Sequence, residues 1–459
     1  MRHGIALALL LTTTAPALAL PDRLDQAATL RDRALATSAA YGLLADLTTT
    51  VGQRLAATPA EQRGRDWAVK AMKAAGLVNI KTEPFPMPVW ERGLETAEVT
   101  GAYPQKLTIA ALGYSGATPS AGVTAPVVYF ADYAALEAAA PGSLAGKIAF
   151  IDHHMMAAQD GSSYGTDGAV RRSGPALAAS KGAVATLIRS LGTDHHRNPH
   201  TGGTVWPDRK LVTPAAALAL PDADQLVRLI AKGPVTLKLV ITPRFDPNGQ
   251  SANVSGEIPG TGAPKEIIVI GGHLDSWDLA TGAIDDASGV AITLAAAKVI
   301  KDGMRDSGLK PRRTIRVVFW GAEEPGVWGG RAYGEAHKDE TVVLAAESDF
   351  GADRIYRVSS NVAATGLPLI AEINRVLAPL GIAPTRNNAT EGGADVQPLG
   401  AAGAGILELE QDGSRYFDLH HTPDDTFDKV DKAQLDQNVA AYAAAVWLAA
   451  SDDRVLRTK

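Results

Sequence analysis

Two adjacent glutamates, Glu323 and Glu324, directly follow the apolar run Val317-Val318-Phe319-Trp320. His273-Leu274-Asp275 closes another such run, Ile267-Ile268-Val269-Ile270, and Asp349 lies just beyond a third at residues 342–346. If these runs are strands of one open parallel sheet, their carboxyl ends meet at a single edge, where such sheets bind ligands. One crevice would then collect a histidine and four carboxylates. Carboxylates packed that closely repel one another and resist desolvation unless cations neutralise them. A pair of divalent metal ions would do so, with zinc the foremost candidate for a His and carboxylate ligand set. Residues two apart on an extended segment face the same way, so Asp275 is placed to orient the His273 imidazole. Neighbours in a turn point differently, so one member of the Glu323-Glu324 pair can bind metal while the other accepts a proton from an activated water. The competing reading is a solvated helix start, and an apolar strand before the pair with Pro325-Gly326 after it argues against that.

The elements that must position these groups are legible in outline. Beyond about residue 248, strand-like runs at 266–270, 314–320, 342–346 and 406–409 alternate with helical segments, the first at 286–300. This pattern predicts an α/β fold with a mostly parallel central sheet flanked by helices on both faces. Residues 24–76 read as largely helical, with Gly76 as a stop, and the prolines at 84, 86 and 88 demand an extended or turning chain. Between about 116 and 247 the texture changes to short β-type runs and Gly- and Ala-rich segments, as expected of a self-contained α/β insertion. The predicted division is residues 1–19, then 24–115 with 248–459 as one domain, and 116–247 inserted in it.

Bulk composition narrows the class. Hydrophobic residues at 46% and charged residues at 20% fit a globular protein with a large core. A net charge of −6 speaks against a nucleic-acid binder. The N-terminus, with Arg2, an apolar stretch at 5–11 and Ala17-Leu18-Ala19, reads as a secretory signal cleaved after Ala19, too short to span a bilayer. An exported (periplasmic or extracellular) protein with no membrane association after cleavage is expected. The chain has no cysteine, so neither disulfides nor thiolate ligands are available, and any metal must rest on His, Asp and Glu.

Five segments, in order, resemble the motifs of the M28 family of metallopeptidases: Gly272-His273-Leu274-Asp275-Ser276, Gly282-Ala283-Ile284-Asp285-Asp286-Ala287-Ser288-Gly289, Ala322-Glu323-Glu324, Glu347-Ser348-Asp349 and His421-Thr422-Pro423-Asp424-Asp425-Thr426. With Trp90-Glu91-Arg92-Gly93 ahead of it, the inserted segment is similar to the protease-associated domain of the family's carboxypeptidase Q-like branch. The resemblance implies a secreted di-zinc exopeptidase acting on short peptides or dipeptides, with dipeptidase or carboxypeptidase activity ahead of aminopeptidase. It implies that His273 and Asp349 hold one metal, Glu324 and His421 the other, and that Asp285 bridges them. Asp275 would orient His273, Glu323 would be the general base, and the Asp285-Asp286 bond would be cis. His420 would either donate to the developing oxyanion or serve as a packing histidine. Gly392-Gly393-Ala394-Asp395 resembles a loop lining the substrate pocket, and a homodimer is expected from the resemblance alone.

Other clusters compete less well. His153-His154 and Asp194-His195-His196, with His200, fall in the inserted segment away from any Glu pair and read as surface loops. Trp277 and Trp328 suit either pocket wall or core. Gly113-Tyr114-Ser115-Gly116-Ala117 breaks the serine-hydrolase elbow, and no phosphate-binding glycine loop is present. A glutaminyl cyclase on a similar fold would lack the insertion, and a non-catalytic binding protein would have lost metal ligands that are present here.

Overall fold

Ile267-Ile268-Val269-Ile270 is apolar at every position, which suits a strand covered on both faces. The computed structural model, which describes residues 22–459, has it that way. Ile268 and Ile270 enter one core beside Val290 and Leu294, while Ile267 and Val269 enter another beside Val318, Tyr333 and Leu399. The strand, Ala263–His273, is central in an eight-stranded sheet. From edge to edge the sheet runs Val78–Glu91, Arg244–Ile258, Arg313–Trp320, Ala263–His273, Thr341–Glu347, Gly405–Gln411, Ile355–Asn361 and Ala383–Pro384. The four middle strands are parallel, so their carboxyl ends share one edge. This is the expected α/β architecture. Its flanks add antiparallel pairs on both sides, because Val78–Glu91 and Arg244–Ile258 pair across a long gap that local periodicity does not reveal. The prolines at 84, 86 and 88 are extended, on the outermost strand. Spaced two apart, they put their missing N–H groups on one side, which only an edge tolerates.

Helices Arg23–Thr37, Ala40–Thr50, Ser288–Ser307 and Lys432–Ser451 cover one face, and Trp328–Ala336 and Gln397–Ala401 the other. The expected helical stretch at 24–76 thus resolves into separate helices. The first opens on Asp22, whose carboxylate accepts from the amides of Leu24 and Asp25. Lys432–Ser451 is buried on all sides from residue 435 to 450, as an alanine-rich helix without a polar stripe must be. Ser288–Ser307 starts at the site and ends on Gly308, whose φ of +67° supplies the left-handed C-terminal turn.

The second sheet also has eight strands, in the order Gln105–Leu107, Glu95–Thr100, Thr236–Ile241, Val123–Phe130, Ile148–Ile151, Ala185–Arg189, Ala215–Leu218 and Ile109–Ala111. It has its own core of Phe150, Leu187, Leu218, Leu237 and Leu239. Three of its strands, from Glu95 to Ala111, lie ahead of the boundary at 116 drawn from sequence. Glu95–Thr100 and Ile109–Ala111 pair with strands more than a hundred residues later, and Gln105–Leu107 pairs with Glu95–Thr100, so the second lobe begins near residue 95. At the other end, Arg244–Ile258 belongs to the first sheet, which places the crossing before 247. Among the described residues no helix is long and apolar enough to cross a membrane. The expected signal at 1–19 lies outside the described residues.

Candidate metal centre

The site is assembled from five strand ends and turns. His273 is the last residue of its strand, opposite Trp320 of the parallel neighbour. Glu323 and Glu324 follow Trp320 in a tight turn bounded by Ala322 and Val327, both at positive φ. Asp349 lies two residues past Thr341–Glu347. Asp285 sits in the kinked turn Ala283–Ala287, and the Asp285-Asp286 bond is cis. His421 follows the short helix Tyr416–Leu419 and itself has φ +62°.

These side chains converge as two clusters sharing one carboxylate. His273 Nε2 is 3.0 Å from Asp285 Oδ1 and 3.3 Å from Asp349 Oδ1. His421 Nε2 is 2.8 Å from Glu324 Oε2 and 3.2 Å from Asp285 Oδ2. Each oxygen of Asp285 therefore addresses a different histidine. His420 stacks on His421 with ring centroids 3.5 Å apart, and its Nε2 is 3.5 Å from the same Asp285 oxygen.

The residues behind the clusters hold them in place, several in ways the sequence reading did not anticipate. The His273 Nδ1 is 3.0 Å from the backbone carbonyl of Asp275 and 3.5 Å from its carboxylate. That carboxylate instead accepts from the amides of Glu323 and Glu324, at 2.9 and 3.3 Å, so Asp275 ties two arms of the site together. Asp286 accepts from the amides of His273 and Gly289. It fits because residues 272 and 289 are glycines: a Cβ on Gly272 would lie 2.4 Å from Asp286 Oδ2, and one on Gly289 1.8 Å from the Ser348 carbonyl. Asp425 holds the amides of Ile284 and Asp285 at 2.6 and 3.2 Å. Arg54, fully buried, donates to the carbonyls of Gly52, Leu274, Thr281 and Gly282 around the Asp285 loop.

The second lobe reaches the site too. His421 Nδ1 is 3.2 Å from the carbonyl of Thr201, and Thr201 N donates to the His421 carbonyl. His200 Nδ1 lies 2.8 Å from the His420 carbonyl and its Nε2 3.0 Å from Asp194. His200 and Asp194 are therefore buried partners of the site, which corrects their reading as surface loops, whereas His195 and His196 are exposed. Trp277 is core-like, packed edge-on against His421 and Trp90, and Trp328 is 37% exposed. Gly393 lines the cleft. Asp395, expected beside it, is fully buried behind the wall, where its carboxylate accepts from Gly330 N and its own amide donates to Glu347.

Burial dominates the electrostatics. It pushes the Glu324 carboxyl up to about 7 and Glu347 up to about 8, and it drives Glu323 well above the carboxylate range, helped by Asp349 and Glu324 against the charge of His273. Burial also acts on Asp285, but the imidazoles of His273 and His421 outweigh it and hold that group well below the usual range. His273 and His421 are raised against burial by their carboxylate partners. His420, by burial and the neighbouring His421, is held well below the ordinary imidazole value. Asp285 Oδ2 and Glu324 Oε1 are buried with no hydrogen-bond partner. Buried carboxylate oxygens without donors, in side-chain clusters that also hold imidazole nitrogens, are what a cation requires, and the residues present fit a divalent metal. The groupings His273, Asp286 and Asp349; His273, Asp285 and Glu324; and Asp285, His420 and His421 can each bring three ligand atoms together.

A cleft of about 780 Å³ opens over these groups, walled by the first lobe on one side and by Asp160, Tyr164, Arg171 and Thr204 of the second on the other. A histidine and carboxylate cluster at the carboxyl edge of a parallel sheet is an arrangement that metal-dependent hydrolases use. A model of peptidase family M28 matches residues 253–446. Carboxypeptidase Q of Mus musculus is 31% identical over 418 residues, covering 90% of this chain and 86% of its own. The Homo sapiens carboxypeptidase Q is 31% identical over 424 residues, covering 92% and 87%. A solved structure of a peptidase M28 precursor from Shewanella amazonensis SB2B superposes with a TM-score of 0.91 at 42% identity, over 95% of this chain and 98% of that one. A zinc aminopeptidase from Bacillus subtilis shares the fold, with a TM-score of 0.63 at 21% identity over 90% and 95%. The chain belongs to peptidase family M28 and is a metallo-exopeptidase, a hydrolase of peptide bonds.

Proposed function

We propose that this protein is an exported exopeptidase that cleaves short peptides or dipeptides with two divalent ions, zinc foremost. The observation that carries the reading is the split of Asp285, one oxygen 3.0 Å from His273 and the other 3.2 Å from His421. His273 and Asp349 would hold one ion, Glu324 and His421 the second, and Asp285 both. Bound there, the ions would polarise the scissile carbonyl and acidify a water. Glu323 would take a proton from the attacking water and later deliver it to the leaving amine. To act as base Glu323 must be ionised; burial opposes that in the metal-free site, and the positive charge of bound ions would restore it. Asp275, holding the Glu323 and Glu324 amides, sets the angle between base and ligand. His420, held neutral beside Asp285, can offer one ring N–H to the oxygen that gains charge.

Likeness to carboxypeptidase Q supports recognition of a free carboxyl end. Aminopeptidase activity is the second reading, and the acidic lining at Glu347, Glu408 and Glu410 favours it. Metal analysis of the purified protein is expected to give two divalent ions per chain. Glu323→Gln is expected to keep both and lose turnover. One ion per chain, or an active Glu323→Gln, would overturn the assignment.

A further inference from the structure

Arg171 and Arg172 lie on the second lobe, in the helix Ala169–Arg172, and both line the cleft. Neither guanidinium forms an ion pair among the described residues. Arg171 is 6% exposed. Its Nη1 lies 3.3 Å from both the Thr201 carbonyl and His421 Nδ1, its Nη2 donates to the Tyr164 hydroxyl, and its Nε is buried with no partner. The side chain is held firmly, stacked on the Tyr164 ring and seated where a Cβ on Gly202 would lie 2.4 Å away. Arg172 is fixed by one bond to the Gly165 carbonyl, and burial together with Arg171 lowers its proton affinity. A buried guanidinium beside a half-buried one, neither with a counter-anion, is costly to fold. A planar carboxylate is the group their fork geometry accepts.

We propose that Arg171, supported by Arg172, binds the free α-carboxylate of the peptide substrate, making the second lobe the reader of the carboxyl end. The proposal rests on the peptidase reading above and adds the direction of recognition and its residue. Arg171 meets His421 at Nδ1, the ring nitrogen opposite the one facing Glu324 and Asp285. The guanidinium is thus about an imidazole's width beyond the ligand cluster. Successive Cα atoms are about 3.8 Å apart, so a carboxylate on Arg171 leaves room for a single residue between it and a carbonyl at the cluster. The cleft is also lined by Glu408 of the first lobe, a carboxylate that complements the positive end of a short zwitterionic peptide.

The test compares a dipeptide with its carboxyl-terminal amide on the metal-loaded enzyme. Wild type is expected to favour the free acid in kcat/KM by about 10- to 100-fold, the worth of a charged hydrogen bond, chiefly through KM. Arg171→Met is expected to erase that preference, lowering the free acid's kcat/KM at least about tenfold more than the amide's, and Arg172→Met to erode it in part. Equal use of acid and amide by wild type would overturn the proposal. So would an Arg171→Met enzyme that loses both substrates equally, since that would assign the residue to supporting His421. If Arg171→Met fails to fold, the wild-type acid-to-amide ratio and Arg172→Met decide. If wild type hydrolyses neither compound, the peptidase reading fails, and calorimetric binding of N-acetylalanine against N-acetylalanine amide to the metal-loaded protein still judges the carboxylate site.

Discussion

Replacing Arg54 by methionine tests whether the loop bearing Asp285 is held from behind. The guanidinium donates to carbonyls of Leu274 at 2.6 Å, Gly52 at 2.8 Å, Thr281 at 2.6 Å and Gly282 at 3.0 Å, in a place water does not reach. A hydrogen bond to a charged group contributes roughly 1.5–3 kcal/mol net, so these bonds together have a gross worth of about 6–12 kcal/mol. Burial of the cation takes part of this back, and it also lowers the Arg54 proton affinity against the pull of Asp425, Asp275, Asp286 and Asp285. Removing one partner from such a buried charged network costs about 3–5 kcal/mol, and we expect Arg54→Met to fall in that range. Loosening the groups behind a metal ligand lowers affinity by roughly 10- to 100-fold. Urea unfolding of the metal-free protein, followed by near-ultraviolet circular dichroism, reads the first effect. Zinc competition with a chromophoric chelator reads the second. Arg54→Lys keeps the charge without the planar fork and is expected to recover less than half of either loss. A loss below about 1 kcal/mol with unchanged zinc affinity would refute the clamp, because the orphaned carbonyls alone exceed that.

Glu323→Gln should retain metal by elemental analysis and slow single-turnover peptide hydrolysis by about 100- to 10,000-fold, the usual worth of a general base. Chelation should abolish hydrolysis and lower the melting temperature. Free metal at a thousand times its dissociation constant stabilises by about 4 kcal/mol per site, and calorimetry with and without added zinc measures it. In the metal-free protein, Glu324 and Glu347 keep their protons to about 7 and about 8 by burial, whereas in the unfolded chain they lose them near pH 4.5. Stability from these groups is therefore complete below that value and disappears as pH rises towards 8. Metal affinity moves oppositely, since binding expels those protons; melts from pH 5 to 8 with and without zinc check both signs. Trp447→Ala, deep in the helix Lys432–Ser451, should cost about 3–5 kcal/mol in denaturant unfolding and leave the metal content unchanged.

What could be read from the sequence was what lies close along the chain. Apolar runs ending in His273, Glu323-Glu324 and Asp349 identified parallel strands and the edge they share, because a strand buried on both faces leaves an unbroken apolar signature. Asp285 and His421 sit in irregular turns with no periodicity, and only their motifs pointed to them. Arg54, Arg171 and Thr201 were invisible for a different reason. Each acts on a segment more than two hundred residues away, and an isolated arginine or a backbone carbonyl carries no local pattern. The strands at 95–111 were assigned to the wrong lobe on similar grounds, since Glu95–Thr100 finds its partner at Thr236–Ile241. Asp395 was misjudged because a Gly-rich loop says where the backbone bends and not which side chain turns inward.

The contact between Thr201 and His421 has a mechanical consequence. The second lobe holds the imidazole edge of one candidate ligand and, through His200, the carbonyl of the residue before it. Swinging that lobe outward would strip both supports from the ligand turn, so opening the cleft and keeping the ion would oppose each other. On the peptidase reading proposed above, such an enzyme would work with its jaws fixed, and a gap of set dimensions would select substrates by chain length more than by side-chain identity.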